Sequence, residues 1–228
     1  MHKTIIIVAG GSGTRMNSEI PKQFLELNGF PVIMHTIKCF IHYDPNIEVR
    51  IVLPKNQVEF WKELCQKHNF AIDHSIMFGG EKRFDSVKNG LEGINRQSLV
   101  AIHDAVRPLV SRNTISRCFE AAGKYGSAIP VINVHETIRK VENNISYTVD
   151  RNNYKLVQTP QVFKAELLLK AYQQPYSDKF TDDASVVESS GHEITLVDGN
   201  RENIKITTPD DLIIANAFLS GGSIYLTH

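Results

Sequence analysis

A glycine-rich loop followed by two cations is the clearest chemical signal in the sequence. The segment GGSGTR begins at Gly10 and ends at Arg15, and Lys22 follows shortly after it. Small residues let backbone N–H groups approach a phosphate closely. Fixed positive charge can stabilise the negative charge that develops at phosphorus during phosphoryl or nucleotidyl transfer. The loop therefore predicts a phosphate site; the alternative is a surface loop with two solvated basic side chains.

Two common phosphate-binding motifs do not fit this loop. A P-loop ends in Gly-Lys followed by Ser or Thr, and that ending is absent. A dinucleotide fingerprint needs three glycines, but Gly11 and Gly13 are followed by Met16 where the third glycine belongs. The second mismatch disfavours a dinucleotide-dependent oxidoreductase.

A second charged cluster, HDAVRP, begins at His103. Its aspartate, Asp104, follows a predicted buried strand, and open parallel sheets bind ligands at the carboxyl ends of their strands. We therefore interpret Asp104 as a ligand-site residue; the alternative is an aspartate that caps the next turn. His103 is interpreted as a buried, hydrogen-bonded histidine that orders the loop, without a catalytic role.

The elements that must position these residues are strand-like runs that alternate with helix-like segments. Strands are predicted at Thr4–Val8, Glu48–Leu53, Ser98–Ile102, Ser127–Val134, Glu193–Val197 and Ile204–Thr207. Helices are predicted at Pro31–Phe40, Val58–His68, Lys82–Ile94, after a Ser111 cap, at Lys164–Tyr172, at Thr181–Ser189 with Thr181 as cap, and after a Thr208 cap. Such alternation predicts an α/β fold, a Rossmann-like and mostly parallel sheet with helices on both faces.

One segment interrupts the alternation. From Glu136 to Arg151 the sequence is polar and β-branched, with Asn143 and Asn144 between two strand-like halves, which predicts a β-hairpin. The hairpin has no evident core of its own, and an isolated hairpin is marginally stable in water. We therefore expect residues 135–153 to form an arm that packs on something else, such as a second subunit.

Composition limits the function classes. Lys and Arg number 25, as do Asp and Glu, so the chain of 228 residues has no net charge that would draw it to nucleic acid or to an anionic membrane. The apolar run Ile5–Ala9 is too short for a signal sequence or a membrane span. Three cysteines without metal-ligand spacing indicate free thiols in a reducing compartment. We expect a cytoplasmic protein with one domain over residues 1–220 and a loosely held tail over 221–228.

Seven segments in order carry a resemblance to a known family. They are VAGGSGTRM with PKQFLELNGFPVIMHTI, GGEKRFDSVKNGL, HDAVRPLV, TVDR, QTPQVF, TDDASVVE and NIKITTPDDL, which together span roughly residues 4–219. The chain resembles the sugar-phosphate cytidylyltransferases, and within them the family that uses 2-C-methyl-D-erythritol 4-phosphate. The resemblance implies transfer of a cytidylyl group from CTP to that acceptor, with release of pyrophosphate, in the non-mevalonate route to isoprenoid precursors.

The resemblance also implies a role for each matching residue. CTP would be bound by Ala9, Gly10, Gly11, Gly13, Gly80, Glu81, Ser86 and Ala105. Arg15 and Lys22 would stabilise the transition state at the α-phosphate, and Asp104 would bind Mg²⁺ or another hard divalent cation together with the CTP phosphates. For Ser86, a serine on a helix surface is the alternative interpretation.

The acceptor site follows from the resemblance in the same way. It would be formed by Thr137, Arg107, Arg151, Thr159 and Lys205, with Arg151 and Lys205 also acting in catalysis. In the family the arginine that matches Arg151 reaches in from the neighbouring subunit on the β-arm, which implies a homodimer. On residue type alone, Arg151 would instead be read as a solvated hairpin arginine. Asp182 and Asp183 are interpreted as favourable charges at a helix N-terminus rather than as metal ligands.

One departure from the family pattern bears on the choice of acceptor. The family commonly has HDAARP where this chain has Val106 in place of the second alanine. Relatives that use ribitol 5-phosphate often carry valine there, so a ribitol-5-phosphate cytidylyltransferase is the first alternative. A non-catalytic nucleotide-binding domain is the second, and the complete set of charged residues at the matching positions speaks against it.

Overall fold

The computed structural model describes residues 1–10 and 20–221 of the chain. Its strands are β1 (Lys3–Val8), β2 (Glu26–Leu27), β3 (Phe30–Pro31), β4 (Glu48–Leu53), β5 (Ser75–Phe78), β6 (Leu99–Asp104), β7 (Ser127–Asn133), β8 (Ile138–Glu142), β9 (Ile145–Val149), β10 (Lys155–Val157), β11 (Gln161–Lys164) and β12 (Leu196–Asp198). Its helices are α1 (Val32–Tyr43), α2 (Val58–Lys67), α3 (Arg83–Gly90), α4 (Arg112–Tyr125), α5 (Ala165–Ala171), α6 (Asp183–Ser189) and α7 (Pro209–Ser220).

A mixed, mostly parallel sheet of eight strands forms the centre of the described part of the chain. The strand order is β10-β7-β11-β6-β1-β4-β5, with β12 beside β7. Strand β1 is parallel to both of its neighbours, β4 and β6. Strand β11 runs antiparallel between β6 and β7. The predicted α/β class is confirmed, and β5, β10 and β11 are strands that the sequence pattern did not indicate.

The central strand shows why both faces of the sheet need helices. Ile5 and Ile7 of β1 belong to one hydrophobic core, and Ile6 between them belongs to the other. All three side chains are fully buried. A continuous apolar run is the pattern expected of a parallel strand covered on both sides.

Helix α3 lies unusually close to this sheet. A methyl group added at Gly90 would come within 2.8 Å of the Ile6 side chain and 3.0 Å of the Val52 side chain. Glycine at this position therefore lets the end of α3 approach β1 and β4, and that approach brings the beginning of α3 to the ligand edge of the sheet.

Most predicted helix starts agree with the structure. Ser111 caps α4 by accepting a hydrogen bond from the Thr114 N–H, and Thr208 caps α7, with Pro209 in the first turn. The prediction that Thr181 caps the next-to-last helix was wrong. Asp182 is the cap of α6, because its carboxylate accepts a hydrogen bond from the Ser185 N–H at 2.9 Å.

The segment around Lys205 is also different from its prediction. Residues Ile204–Thr207 form no strand. Its link to the aspartate loop is instead a backbone hydrogen bond from the Ile206 N–H to the Val106 carbonyl, and the Ile206 side chain is buried. The expectation that one face of this segment is buried was correct, although the regular sheet pairing is missing.

The predicted hairpin is present and extends over β8 and β9. Asn143 and Asn144 form its turn, both with positive φ angles (49° and 65°), as a tight two-residue turn requires. One face carries Ile145 and Tyr147 together with the cross-strand pair of Ile138 and Val149. Ile145 is 70% exposed, so in the single chain this apolar face is largely uncovered.

No helix within residues 1–10 and 20–221 is long and apolar enough to cross a membrane.

Candidate functional site

The site lies where β1 and β6 end side by side. Val8 and Asp104 are register partners, so the residues that follow them, Ala9 and Ala105, leave the sheet at the same level. Two cavities open at this edge. The first is lined by Val8, Ala9, Gly10, Lys22, Gln23, Gly80, Glu81, Lys82, Arg83, Ser86, Asp104, Ala105, Val106 and Lys205.

The second cavity adjoins the first. It is lined by Arg83, Asp104, Arg107, Val157, Gln158, Thr159, Gln161, Thr181, Asp182 and Lys205. Arg83, Asp104 and Lys205 line both cavities. The two spaces therefore meet at one carboxylate and two cations.

Asp104 is the electrostatic centre of this junction. Its Oδ2 atom lies 3.1 Å from the Nζ of Lys205 and 3.1 Å from the Nε of Arg107. Burial alone would raise the pKa of the carboxyl group, but the positive charges of Lys205, Arg83 and Arg107 outweigh burial and hold the pKa well below its ordinary value. Asp104 is therefore ionised at neutral pH.

His103 links the two ends of the aspartate loop without facing a cavity. Its Nε2 atom is 3.0 Å from the Arg107 carbonyl oxygen, and its Nδ1 is 3.0 Å from the Thr159 hydroxyl. The Thr159 oxygen in turn accepts a hydrogen bond from the Asp104 N–H. A neutral imidazole that donates through Nε2 satisfies every group in this chain. Burial lowers the pKa of His103 to about 4, which agrees with the neutral form.

One wall of the first cavity is formed by the backbone at Gly80 and the hydroxyl of Ser86. Ser86, in the first turns of α3, is buried, and its Oγ accepts a hydrogen bond from the Gly80 N–H at 3.1 Å. A Cβ added at Gly80 would lie 2.3 Å from the Cβ of Asp85. The loop therefore packs directly on the start of α3, and a side chain at Gly80 would push the two apart.

An ion pair between distant segments supports the junction of the two cavities. The Arg83 guanidinium, at the start of α3, donates to both carboxylate oxygens of Asp183 at 2.9 and 2.7 Å. Asp183 is fully buried, and the Tyr172 hydroxyl also donates to it at 2.6 Å. The charge on Asp183 outweighs burial and raises the pKa of Arg83.

Comparison with known proteins then gives the family. The family model for 2-C-methyl-D-erythritol 4-phosphate cytidylyltransferase (IspD) matches residues 3–221. The chain is 55% identical over 219 residues to the enzymes of that name from Phocaeicola vulgatus and Bacteroides fragilis, covering 96% of this chain and all of each relative. The crystal structure of 4-diphosphocytidyl-2C-methyl-D-erythritol synthase from Anaerococcus prevotii superposes with a TM-score of 0.81 at 28% identity, covering 96% of both chains.

The chain belongs to the 2-C-methyl-D-erythritol 4-phosphate cytidylyltransferase family.

The structure brings most of the residues that resemblance to this cytidylyltransferase family implied into two neighbouring groups. The first cavity contains eight of the predicted CTP-site and catalytic residues: Ala9, Gly10, Lys22, Gly80, Glu81, Ser86, Ala105 and Lys205. The second contains Arg107, Thr159 and Lys205 from the predicted acceptor site. Gly11, Gly13 and Arg15 lie outside the described residues. Residues 222–228 of the predicted tail lie outside them too.

Two predicted acceptor residues of the cytidylyltransferase site lie elsewhere. Thr137 and Arg151 are exposed residues at the base of the β8–β9 arm, and neither lines the two cavities of the same chain. Arg151 donates a hydrogen bond to the His135 carbonyl. Within one chain, these two residues are therefore not part of the junction.

Gln23 and Arg83 are among the cavity residues that had no assigned role in the sequence-based interpretation. Gln23 is buried and donates to the Ala9 carbonyl oxygen at 2.9 Å, which supports the start of the glycine-rich loop. Arg83 stands in the GGEKRFDSV segment, and Asp183 in the TDDAS segment. Both segments were recognised as family motifs, but their ion pair joins positions 100 residues apart, and no local pattern reveals such a partner.

Val106, the departure from the family pattern, has a packing role. Its side chain is 5% exposed and lies in a small hydrophobic core with Leu27, Leu109 and Ile206. Its carbonyl also accepts the hydrogen bond from Ile206. The larger side chain therefore helps to anchor the segment that carries Lys205.

Proposed function

We propose that this chain transfers the cytidylyl group of CTP to 2-C-methyl-D-erythritol 4-phosphate and releases pyrophosphate, a step in the non-mevalonate supply of isoprenoid precursors. The observation that carries the proposal is the junction of the two cavities at Asp104, Lys205 and Arg83. A nucleotide in the first cavity and a phosphate ester in the second would meet at this junction. The family match, which extends over both cavities, supplies the identity of the two substrates.

The reaction is an in-line displacement at the α-phosphorus of CTP. An oxygen of the acceptor phosphate attacks the phosphorus, a new P–O bond forms, and the bond to the β-phosphate oxygen breaks as pyrophosphate leaves. A phosphomonoester has a second pKa of about 6, so its oxygen is already ionised at neutral pH and needs no general base. The hydrogen-bonded, neutral His103 agrees with a mechanism of this kind, because its two nitrogens are occupied.

Fixed cations stabilise the charge that develops in this displacement. Lys22 lines the first cavity, where the triphosphate would lie. Arg15, outside the described residues, is proposed to have the same role on the strength of the family motif. Lys205 faces both cavities and is 43% exposed on its side chain, so it can reach the acceptor phosphate. Preorganised groups of this kind typically contribute about 10²–10³ in rate each.

We propose Mg²⁺ as the cofactor, held by Asp104. Among the described residues no group of three or more His, Cys, Asp and Glu side chains could hold a metal ion alone. Mg²⁺ commonly uses one or two carboxylates, water molecules and the substrate's phosphate oxygens instead. Asp104 fits this mode. Its Oδ2 atom pairs with both Arg107 and Lys205, whereas Oδ1 accepts no hydrogen bond from the described residues and could bind the ion. The bound ion would neutralise triphosphate charge.

We also propose that the active form is a homodimer in which the arm of one protomer completes the acceptor site of the other. The exposed apolar face of β8 and β9 supports this, since water is a poor environment for the side chains of Ile145 and Tyr147, which are 70% and 42% exposed. The position of Thr137 and Arg151 outside their own chain's cavities supports it too. We propose a cytoplasmic location, supported by three free cysteines that fit a reducing compartment.

The test is pyrophosphate release from CTP and Mg²⁺, with 2-C-methyl-D-erythritol 4-phosphate and ribitol 5-phosphate supplied in parallel reactions. Turnover with methylerythritol phosphate alone is expected. Turnover with ribitol phosphate alone would keep the chemistry and overturn the acceptor. A folded protein that binds CTP and turns over neither acceptor would contradict the proposal and favour a nucleotide-binding domain without this activity.

A further inference from the structure

Arg83 occupies a position that the predicted set of site residues does not include. It lines both cavities, together with Asp104 and Lys205, at the place where the reacting phosphates would meet. Its side chain is 32% exposed, whereas the side chain of its partner Asp183 is fully buried. One end of the ion pair therefore lies in the protein interior, and the other reaches the junction.

The ion pair leaves part of the guanidinium unused. Arginine has five N–H donors, and the bidentate contact with Asp183 takes one from each terminal nitrogen. No acceptor among the described residues takes the remaining three donors, and Arg83 lines both cavities. A planar fork of donors with a fixed orientation suits a phosphate.

The support behind Arg83 limits its orientation. Asp183 receives three hydrogen bonds, two from Arg83 and one from the Tyr172 hydroxyl. Tyr172 stacks on Phe84, the neighbour of Arg83, with ring centroids 4.8 Å apart. The guanidinium is thus held by its carboxylate partner, and that carboxylate is itself held by Tyr172, which packs on Phe84.

We propose that Arg83 is a catalytic residue that donates hydrogen bonds to the acceptor's phosphate at the junction, and that Asp183 and Tyr172 are positioning residues that hold it there. The proposal deepens the proposed function and rests on it. Arg83 and Asp183 together are neutral, so the pair contributes oriented donors rather than net charge. Lys205 and Arg107, which share Asp104, supply the balance of positive charge for a phosphate dianion.

A purely structural role for the ion pair is the competing explanation. The pair joins the starts of α3 and α6, and such a link could serve only to hold the two helices together. A buried ion pair is, however, weak evidence for a stabilising role, because desolvation costs about as much as the pair gains. The unused donors and the exposure to both cavities have no function in the structural explanation.

The test compares Arg83→Lys and Arg83→Gln with the parent in steady-state assays with each substrate varied. Lysine keeps the charge but cannot contact Asp183 with a fork and reach the phosphate at once. We expect kcat/KM for the acceptor to fall about 10²-fold in both variants, while the dissociation constant for CTP alone changes little. Arg50→Lys is the matched control: Arg50 pairs with Glu48 away from both cavities, and its variant should keep parental kinetics.

A double-mutant cycle with Asp183→Asn tests the positioning role. If Asp183 acts through Arg83, its substitution should lower kcat/KM for the acceptor in the parent and have no further effect in the Arg83→Gln background. Because Asp183→Asn removes a buried charge partner and could unfold the chain, Tyr172→Phe serves as a milder variant. Loss of that one hydrogen bond should lower kcat/KM by about fivefold.

Two results would overturn the proposal. One is parental kcat/KM for the acceptor in a folded Arg83→Lys variant, whatever its loss of thermal stability. The other is a loss of CTP affinity that accounts for the whole loss of rate, since Arg83 would then serve the nucleotide. A parent enzyme that turns over no acceptor would instead contradict the proposed function, so the two failures are distinguishable.

Discussion

At the scale of single residues, the conformation of the loop that carries Asp104 and Arg107 depends on the protonation state of His103. A chain of hydrogen bonds through the His103 ring is the reason. The neutral ring accepts from Thr159 and donates to the Arg107 carbonyl. A protonated ring would have to donate at both nitrogens, and the Thr159 hydroxyl would lose its acceptor. The loop that carries Asp104 and Arg107 therefore depends on a neutral histidine.

We predict an acid-sensitive contribution to stability from this residue. The folded pKa of His103, about 4, lies below its ordinary value of 6.5, so the unfolded chain takes up the proton first as the pH falls. The contribution is complete above pH 6.5 and is lost as the pH falls to about 4; its size is about 3 kcal/mol. Urea unfolding of the ligand-free protein between pH 7 and pH 4 measures it.

The control for this prediction is His103→Gln, which removes the titrating group and keeps a donor and an acceptor. Its free energy of unfolding should fall less steeply over the same range. His35, whose pKa is also lowered by burial, is present in both proteins and cancels in the comparison. Parallel curves for parent and variant would show that His103 does not carry the effect.

Lys22 gives a prediction for the rate. Lys22→Ala should lower kcat by about 10²–10³, because a fixed positive charge at the triphosphate is removed. Pyrophosphate release at saturating CTP measures the loss. Lys55→Ala, at an exposed lysine that lines neither cavity, is the control and should keep the parental rate. Equal rates for the two variants would exclude Lys22 from the chemistry.

At the scale of elements, helix α3 is placed by a glycine at each end. Gly90 allows its last turn to approach β1 and β4, and Gly80 allows the preceding loop to pack on its first turn. Between them lie Arg83, which faces the junction, and Ser86, which holds the loop. The packing of α3 on the sheet therefore fixes the position of the wall of the first cavity.

The two glycines predict opposite phenotypes on substitution by alanine. Gly80→Ala places a methyl group 2.3 Å from Asp85 Cβ, so the loop must move, and kcat/KM for CTP should fall by about 10²-fold. Gly90→Ala crowds Ile6 and should cost about 1–3 kcal/mol of unfolding free energy with kinetics near parental. Paired kinetic and thermal-unfolding measurements check both. The interpretation fails if Gly90→Ala is the variant that loses activity.

The elements also show how far sequence reasoning reaches. Strands β1 and β4 and helices α1 and α2 were predicted to within a few residues, as were the starts of α4 and α7, because hydrophobic periodicity and caps are local signals. Strand β11 was not predicted: it is formed by pairing with β6 and β7, whose partner residues are at least 34 positions away, and three of its four residues are buried. The Ile204–Thr207 strand was wrong because β-branched residues there pack on Val106 without joining a sheet.

For the site, too, sequence reasoning found the features that have a local signal and missed those that depend on a distant partner. Among the described residues, the predicted site residues in the motifs at the ends of β1 and β6 lie at the cavities, as their place after a strand suggested. The ion pair of Arg83 with Asp183 was not foreseen, because a long-range partner leaves no mark on either segment. The assignment of Asp183 to a helix N-terminus was correct for its position in α6 and incomplete for its partner.

At the scale of the whole molecule, the proposed dimer predicts that inactive variants restore each other. Arg151→Ala and Lys205→Ala should each lower kcat by about 10²-fold or more. In a mixed dimer, one site would combine an intact Lys205 with an intact Arg151 from the partner. After subunit exchange, an equal mixture should recover about one quarter of the parental activity, since half of the dimers are mixed and each has one complete site.

The control for this experiment is a mixture of Arg151→Ala with Arg15→Ala and, separately, of Arg15→Ala with Lys205→Ala. In the second pair, both residues are proposed to serve the site of their own chain, so each site of a mixed dimer lacks one of them and no activity should return. Recovery in neither mixture, with dimers present by sedimentation, would show that Arg151 does not act across the interface.

The exposed apolar face of the arm has a further consequence for how such an enzyme responds to dilution. If a neighbouring protomer completes the acceptor site, specific activity is a function of enzyme concentration, and it should decline below the dissociation constant of the dimer. Methylerythritol phosphate should slow that decline, because a ligand held by both protomers favours their association. A cell that makes little of this protein would then lose flux more steeply than in proportion to the number of chains.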